Sequence, residues 1–587
     1  MLPSGAVTFP KLVVHAALAG LYGGLVVALF LRLANPAVGA AGGGQAPTLL
    51  LVVLAYTLAA AVVWPVLYVA LRFFARHRLR LTWLSLRYLI GFHAVNTSLI
   101  LGSGWLILSK FRATLAPPEA DRLAAACGWL TVAWLAAATV ATVPRLRRRV
   151  HLQAAAGGLA LVALLVSLYG DSARSDGAFV TGALSEHATE TASRPAGAPP
   201  TGLSPAEARP ALTTAPPARR LLLLNFDGAD LDTILTMQAQ GKLPAFSRLV
   251  QEGTYGRLAS ILPCVASVTR ATLVTGMLPY RNGVRSAQAR SVLGRDPWID
   301  VVPPGIGFDV VLAPVLERRA TRVSDRQVPT FWEISARLGG LGEAAGWDDD
   351  QDAVRPAATS RAAPAAPQDW IADLLDPEVQ RQKEPAARAL VAEVARAAAA
   401  DALVLDALQR FEAHTGRGVT AASFPGLDRV AHIFLRYARP ADFGNVSPRD
   451  VDLYGAVLER YYRRIDGIVG RALQSEGAGA LLMVSATHGI RPAPPLHRLK
   501  DEILGGEHLS GIHEDAPPGF LFVHGRDALR GRVFGKGSIA DVAPTVLYAL
   551  GLPVARDAHG GILARVFSEA FTARHPVTVI GSYDTDR

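Results

Sequence analysis

The sequence predicts two unlike parts: an N-terminal all-α transmembrane bundle of five helices and a C-terminal α/β domain with a mainly parallel central sheet. Three observations predict this. Long apolar stretches fill the first part, a segment rich in Ala, Pro, Ser and Thr follows, and from Arg219 short apolar runs alternate with helical patterns. Of 587 residues, 50% are hydrophobic and only 18% charged, a balance that excludes a disordered chain and an ordinary soluble enzyme.

The five apolar stretches lie near 12–31, 48–71, 88–108, 123–143 and 150–169, within a transmembrane domain of residues 1–170. Each approaches the roughly 20 residues that cross a hydrocarbon layer. The first has no small-residue cleavage site behind a short apolar core and reads as a retained anchor. Arg72, Arg76, Arg78, Arg80 and Arg87 follow the second stretch, and Arg145, Arg147, Arg148 and Arg149 follow the fourth, so both loops are expected in the cytoplasm. An odd number of spans then puts everything after Gly170 outside it, in a periplasmic or extracellular space. These arginines account for most of the net charge of +10, so the basic balance reports topology and implies no nucleic-acid partner. The partner expected from this half is the lipid bilayer. His15, His93 and Asn96 within the spans have no acidic relay beside them, which speaks against a transporter. The two cysteines, Cys127 and Cys264, lie far apart and in unlike surroundings, and indicate no disulfide framework.

Residues 171–218 read as a disordered linker, and a biased stretch near 348–367 as a surface loop within the following domain, residues 219–587. Leu221–Phe226 is a buried strand ending in Asp227-Gly228, and Pro244–Gly253 a helix closed by glycine. Val419–Phe424 is a second strand, followed by Asp428 and His432; Leu481–Ala486 is a third, ending at Thr487-His488; Phe520–Val523 is a fourth, preceded by His513. Ligands of open α/β sheets bind beyond the carboxyl ends of strands. Any one of these Asp or His residues alone reads more readily as a turn or a structural residue. Together they suit a Zn²⁺-type ion, and Asp428 and His432, four apart, project from one helix face.

These segments resemble the alkaline phosphatase superfamily, in its type I phosphodiesterase and nucleotide pyrophosphatase branch. The resemblance runs from Arg219 to Phe571 through LLLLNFDGAD, LPAFSRLVQEGTYGRL, ATLVTGMLPYRNGV, FPGLDRVAHIF, YYRRIDGIVGRAL, VSATHGI, GIHEDAPPGFLF and IADVAPTVLYALGLP, in collinear order. The layout, with its anchor, is also similar to lipoteichoic acid synthases and phosphoethanolamine transferases. The resemblance implies two divalent ions, zinc in kind, that clamp the attacking and leaving oxygens of a phosphoryl displacement, with a Thr or Ser nucleophile at a helix N-terminus. It assigns one ion to Asp428, His432 and His513, all present. It assigns the other to Asp227, the nucleophile and an Asp-His pair.

Here the pattern departs. His488 matches, but Thr487 stands where the resemblance implies aspartate, and Ala266 fills the nucleophile slot, so the second ion is expected to be weak or absent. Ser267, Cys264 or a water could substitute as nucleophile. Two functions follow. One is a membrane-anchored, extracytoplasmic, metal-dependent hydrolase or transferase of phosphodiesters or related esters, acting on a lipid-linked or envelope phosphoester. The alternative is an inactive pseudoenzyme of the same fold that binds a metal, an anionic ligand or an envelope partner. Substrate specificity is expected in the segment between Gly276 and Val419.

Overall fold

The computed structural model describes residues 9–35, 46–74, 114–125, 128–129, 132, 220–262, 264–302, 308–348, 367–412, 414, 416–444, 446–475, 480–495, 498, 510–513 and 517–584. The spans read near 88–108 and 150–169, most of that near 123–143, the linker 171–218 and nearly all of the loop near 348–367 lie outside these residues. The chain divides into two compact units, one of residues up to Val180 with Gln288–Arg319, the other of Thr181–Ala287 with Ala320–Arg587.

In the first unit, two long helices, Phe9–Ala34 and Ala46–Phe74, pack together. Among the described residues one helical segment, Pro47–Leu67, is long and apolar enough to cross a membrane, and Gly23–Ala34 is a shorter apolar segment. Leu50, Leu54, Leu58, Val62 and Val66 form an exposed stripe at four-residue spacing along the second helix. Such a stripe faces an apolar medium at little cost and water at a large one.

The sequence did not foretell the rest of this unit. Residues of the 288–319 segment join a core with the helices: Val27 and Leu31 from the first, Val52 and Tyr56 from the second, and Val292, Ile299, Phe308 and Leu312 from the segment. Beside it Phe30 and Ala34 pack with Leu115, Ala120 and Leu123, and Val301 lies against them. Asn35, just past the first helix, donates from Nδ2 to the Val301 carbonyl at 2.8 Å and accepts from the Val301 amide at 3.1 Å, so both backbone groups of Val301 are satisfied by one buried side chain.

The second unit is built on β1 (Arg220–Phe226), β2 (Thr254–Ala259), β6 (Leu341–Ala345), β7 (Gly418–Phe424), β8 (Ala480–His488), β11 (Pro518–Gly525) and β12 (Arg532–Ser538). The intervening β3 (Gln288–Val292), β4 (Arg295–Ile299) and β5 (Leu316–Ala320) form a separate three-stranded sheet ordered β4-β3-β5. The short β9 (Arg491–Pro492) and β10 (Gly511–Ile512) pair antiparallel. The seven-stranded sheet runs β12-β2-β11-β8-β1-β7-β6. All its strands point one way except β11, which is antiparallel to β2 and β8.

The central strands explain their own placement. RLLLLNF, GVTAASF and ALLMVSATH are buried almost throughout, as strands covered on both faces must be. The helices Leu231–Ala239, Pro244–Glu252, Gly426–Ala438 and Val457–Ser475 bury apolar stripes against the sheet. Gly253 closes the second of these in an extended conformation, so it ends the helix without a left-handed turn.

One register feature prepares the site. Asn225 pairs with Ser423 on β7 and Ser485 on β8, and the three buried side chains form a polar rung across the middle of the sheet. Asn225 Nδ2 donates to Ser423 Oγ at 3.1 Å, and Ser485 Oγ donates to Asn225 Oδ1 at 3.1 Å. A satisfied polar rung in an apolar core fixes register, because a slip of one residue would bury it unpaired.

Candidate metal centre

Each site residue sits where a strand stops. Asp227 follows β1, His488 ends β8, and the chain leaves β7 through Pro425 into the helix Gly426–Ala438, which carries Asp428 and His432 one turn apart. β7, β1 and β8 are adjacent and parallel, so their carboxyl ends share one edge. His513 reaches that edge by a different route. The strand after it, β11, is antiparallel, and its start at Pro518 pairs with His488. A residue shortly before an antiparallel strand therefore lies where parallel strands end.

The helix start is held from a distance. The Gly426 amide, an orphan donor of the first turn, donates to Asp401 Oδ1 at 2.8 Å, and Tyr461 Oη donates to Asp401 Oδ2 at 2.9 Å. A Cβ on residue 426 would lie 1.8 Å from Tyr461 Oη, so only glycine fits. The other flank is stitched down by Ser510, whose amide donates to the His432 carbonyl at 2.7 Å and whose hydroxyl donates to the Ile433 carbonyl at 2.7 Å.

One nitrogen or carboxylate oxygen from each of Asp428, His432 and His513 lies within 4.8 Å of the others. His432 Nδ1 hydrogen-bonds the Gly511 carbonyl at 2.7 Å, which fixes the tautomer and leaves Nε2 facing Asp428 Oδ2 at 3.4 Å. Asp428 Oδ1 and His513 Nδ1 are buried without a hydrogen-bond partner. Burial drives the Asp428 carboxyl upward, but His432, His513 and His488 outweigh it and hold the group well below the usual carboxylate range. Burial pushes His513 down to about 4, with Asp428 countering only in part. An ionised carboxylate at Asp428 and a neutral imidazole at His513 are protonation states that bind a divalent cation. Two orphaned ligand atoms in a largely buried three-ligand cluster fit such an ion, and nitrogen-rich donors favour zinc.

The neighbouring position does not fit one. Asp227 is fully buried, its Oδ1 accepting from Asn225 Nδ2 at 2.8 Å and from Thr487 Oγ1 at 3.3 Å. Its Oδ2 accepts from the guanidinium Nε of Arg270, itself buried within the helix Ala266–Thr275. Thr269 Oγ1 donates to Thr487 Oγ1 at 3.1 Å, which ties the first turn of that helix to the end of β8. His488, also buried, stacks on His513 with ring centres 4.7 Å apart, and its Nε2 has no hydrogen-bond partner.

Ala266, at the position the resemblance assigns to the nucleophile, presents a half-buried methyl at the start of the same helix. Neither nearby alternative is poised to replace it. Ser267 Oγ lies 2.9 Å from Thr321 Oγ1, and Thr321 spends its single proton on the Ser286 carbonyl, so Ser267 must donate to Thr321. Cys264 is buried, with Sγ 3.4 Å from Ser260 Oγ and 3.3 Å from the Ile261 carbonyl, to which its thiol donates. Arg270 and the Asn225 rung were missed by sequence reasoning. The one available signal was a lone charge in the small and apolar run ASVTRATLVT.

Gly228 joins the two halves of the site. Its φ is +71°, and a Cβ there would lie 2.7 Å from Asp428 Oδ1. Gly228→Ala is expected to weaken divalent-ion binding by about tenfold or more, scaled to the loss on disturbing groups around metal ligands. Competition titration with a chromogenic chelator reads this, and unchanged affinity would dissociate Gly228 from the centre.

Residues 221–510 match the sequence profile of the family described as type I phosphodiesterase / nucleotide pyrophosphatase. No curated protein matches the chain. Solved structures similar to it include murine ectonucleotide pyrophosphatase/phosphodiesterase 5, in an inactive form in complex with AMP (13% identity over 59% of this chain and 99% of that one, TM-score 0.34). The human counterpart (11%, 59% and 99%, 0.36) and a mutant of alkaline phosphatase PafA (11%, 60% and 99%, 0.36) are similar too. At those TM-scores the three likenesses add no weight to the profile match. The C-terminal domain is thus an α/β domain with a mainly parallel sheet, similar over residues 221–510 to the type I phosphodiesterase / nucleotide pyrophosphatase family.

Proposed function

We propose that this protein is a membrane-anchored, metal-dependent hydrolase or transferase of phosphodiesters or related esters, with its catalytic domain outside the cytoplasm. The carrying observation is the cluster of Asp428, His432 and His513, with two ligand atoms buried and unpartnered. A divalent ion bound there would supply Lewis-acid polarisation of a phosphoryl oxygen. The chain supplies the rest: Gly511 orients His432, burial keeps His513 neutral, and the helix start anchored by Asp401 and Tyr461 fixes Asp428.

With Ala266 in the nucleophile slot, and Ser267 and Cys264 engaged elsewhere, turnover would proceed by direct attack of water on phosphorus. One P–O bond forms to water as the ester P–O bond breaks, and the proton leaves with the departing alcohol. A single in-line displacement inverts configuration. Hydrolysis of a chiral phosphorothioate diester in isotopically labelled water is therefore expected to give inversion, and net retention would demonstrate a covalent enzyme intermediate.

The same residues favour a second reading, a pseudoenzyme that binds a phosphoester or other anionic ligand without turnover. Hydrolysis of an aryl phosphodiester by the full chain in detergent separates the two. Activity lost in Asp428→Ala supports the enzyme. Silence that ends only when Ala266→Thr and Thr487→Asp are combined supports the pseudoenzyme.

Anchoring is supported by the apolar stripe on Ala46–Phe74 and by the segment Pro47–Leu67. The outward placement is supported by the arginine-rich loops and by the first unit's own contacts. The 288–319 segment packs at the ends of the two helices nearest the uncharged connection 36–45, the end opposite the arginines after the second helix. An alkaline phosphatase reporter fused after Gly170 is expected to be active, and a silent fusion would reverse the topology. A lipid-linked or envelope phosphoester, held within reach by the tether, is the substrate class this placement favours.

A further inference from the structure

We infer that Arg270 takes the place of the second cation, so that the centre loads one divalent ion per chain and Asp227 serves as the guanidinium's partner instead of a metal ligand. This rests on the metal-dependent reading above. The charge balance argues for it. In the two-ion arrangement implied by the resemblance, the second position combines a dication with two carboxylates, one at Asp227 and one at position 487, for a local sum of zero. Here Thr487 removes one negative charge and Arg270 sets a monocation against Asp227 where the dication would lie, so the carboxylate that remains is still faced by a cation. Either change alone would leave an unbalanced charge in a site where Asp227, Thr487 and His488 are fully buried.

The geometry agrees. Arg270 sits one helical turn beyond Ala266, on the helix whose first turn is bonded to Thr487, and its Nε reaches Asp227 Oδ2 while Thr487 and Asn225 occupy Oδ1. With both carboxylate oxygens accepting hydrogen bonds and a fixed positive charge beside them, a second ion would meet repulsion and a depleted ligand set. His488, whose Nε2 has no hydrogen-bond partner, stacks on His513 and stays outside the cluster of three ligands.

The test is stoichiometric and needs no turnover. The full chain in detergent, stripped of metal and titrated with Co²⁺, is expected to saturate at one equivalent, with absorption bands of a single four-coordinate species. Asp428→Asn is expected to abolish that binding. Asp227→Asn is expected to keep one equivalent with affinity changed less than tenfold, and Arg270→Met combined with Thr487→Asp is expected to raise the count to two. Two equivalents in the unmodified chain, a loss of 100-fold or more in Asp227→Asn, or a count still at one in the double variant would overturn the inference. Because Asp227→Asn could misfold by stranding Arg270, the titration of the unmodified chain decides alone if it does. No binding by the unmodified chain would defeat the metal-dependent reading itself, whereas two equivalents would leave that reading standing and remove only the role of Arg270.

Discussion

Replacing Arg270 with methionine is expected to destabilise the C-terminal domain by about 3–5 kcal/mol, the range for breaking a buried ion pair from one side. The pair is 3% and 0% exposed at its two side chains, so water cannot take over the solvation of Asp227 when the guanidinium is removed. Asn225 and Thr487 still donate to Oδ1, but neutral donors do not balance a whole charge in an apolar surround. Adding Asp227→Asn to the same chain should recover most of the loss, since the stranded charge disappears with it. Denaturant midpoints of the single and double variants of the full chain measure the coupling. Additive losses would mean that the two side chains do not act as a pair.

The second large effect is expected at His432. His432→Ala removes one of three clustered ligands and leaves its helix, held by Asp401, Tyr461 and Ser510, otherwise intact. Divalent-ion affinity should fall by more than the roughly 10–100-fold typical of losing a group that merely supports a ligand. Stability of the metal-free chain should scarcely change, because the cluster is shaped by packing and not by the ion. Metal-to-protein ratio after dialysis, read beside the thermal midpoint of the metal-free form, checks both halves. A retained ion would remove His432 from the centre, and a collapsed midpoint would make its role structural.

Much of the C-terminal fold was legible because its central strands are short, apolar and buried on both faces, as in LLLLNF and ALLMVSA. β2 and β12 were not, since TYGRLA and RVFGKGS interleave glycine and charge, and β6 is only the small-residue run LGEAA. The cluster of Asp428, His432 and His513 was legible from strand ends and residue type. Arg270 was not, because its meaning depends on facing Asp227 across 43 positions of chain. The partnership of residues 288–319 with the first two helices was equally hidden. Both sides are ordinary apolar patterns, and nothing local in either announces the other.

That partnership bears on how the protein is made. Val27, Leu31, Val52 and Tyr56 leave the ribosome early, yet the residues that cover them, Val292, Ile299, Phe308 and Leu312, follow only after the first strands of the other unit. During synthesis the early helices wait with that patch uncovered until the chain has passed Arg319. The segment 288–319 therefore belongs to the fold of the first two helices although it lies far along the chain, and a chain cut short before it would leave their patch without its cover.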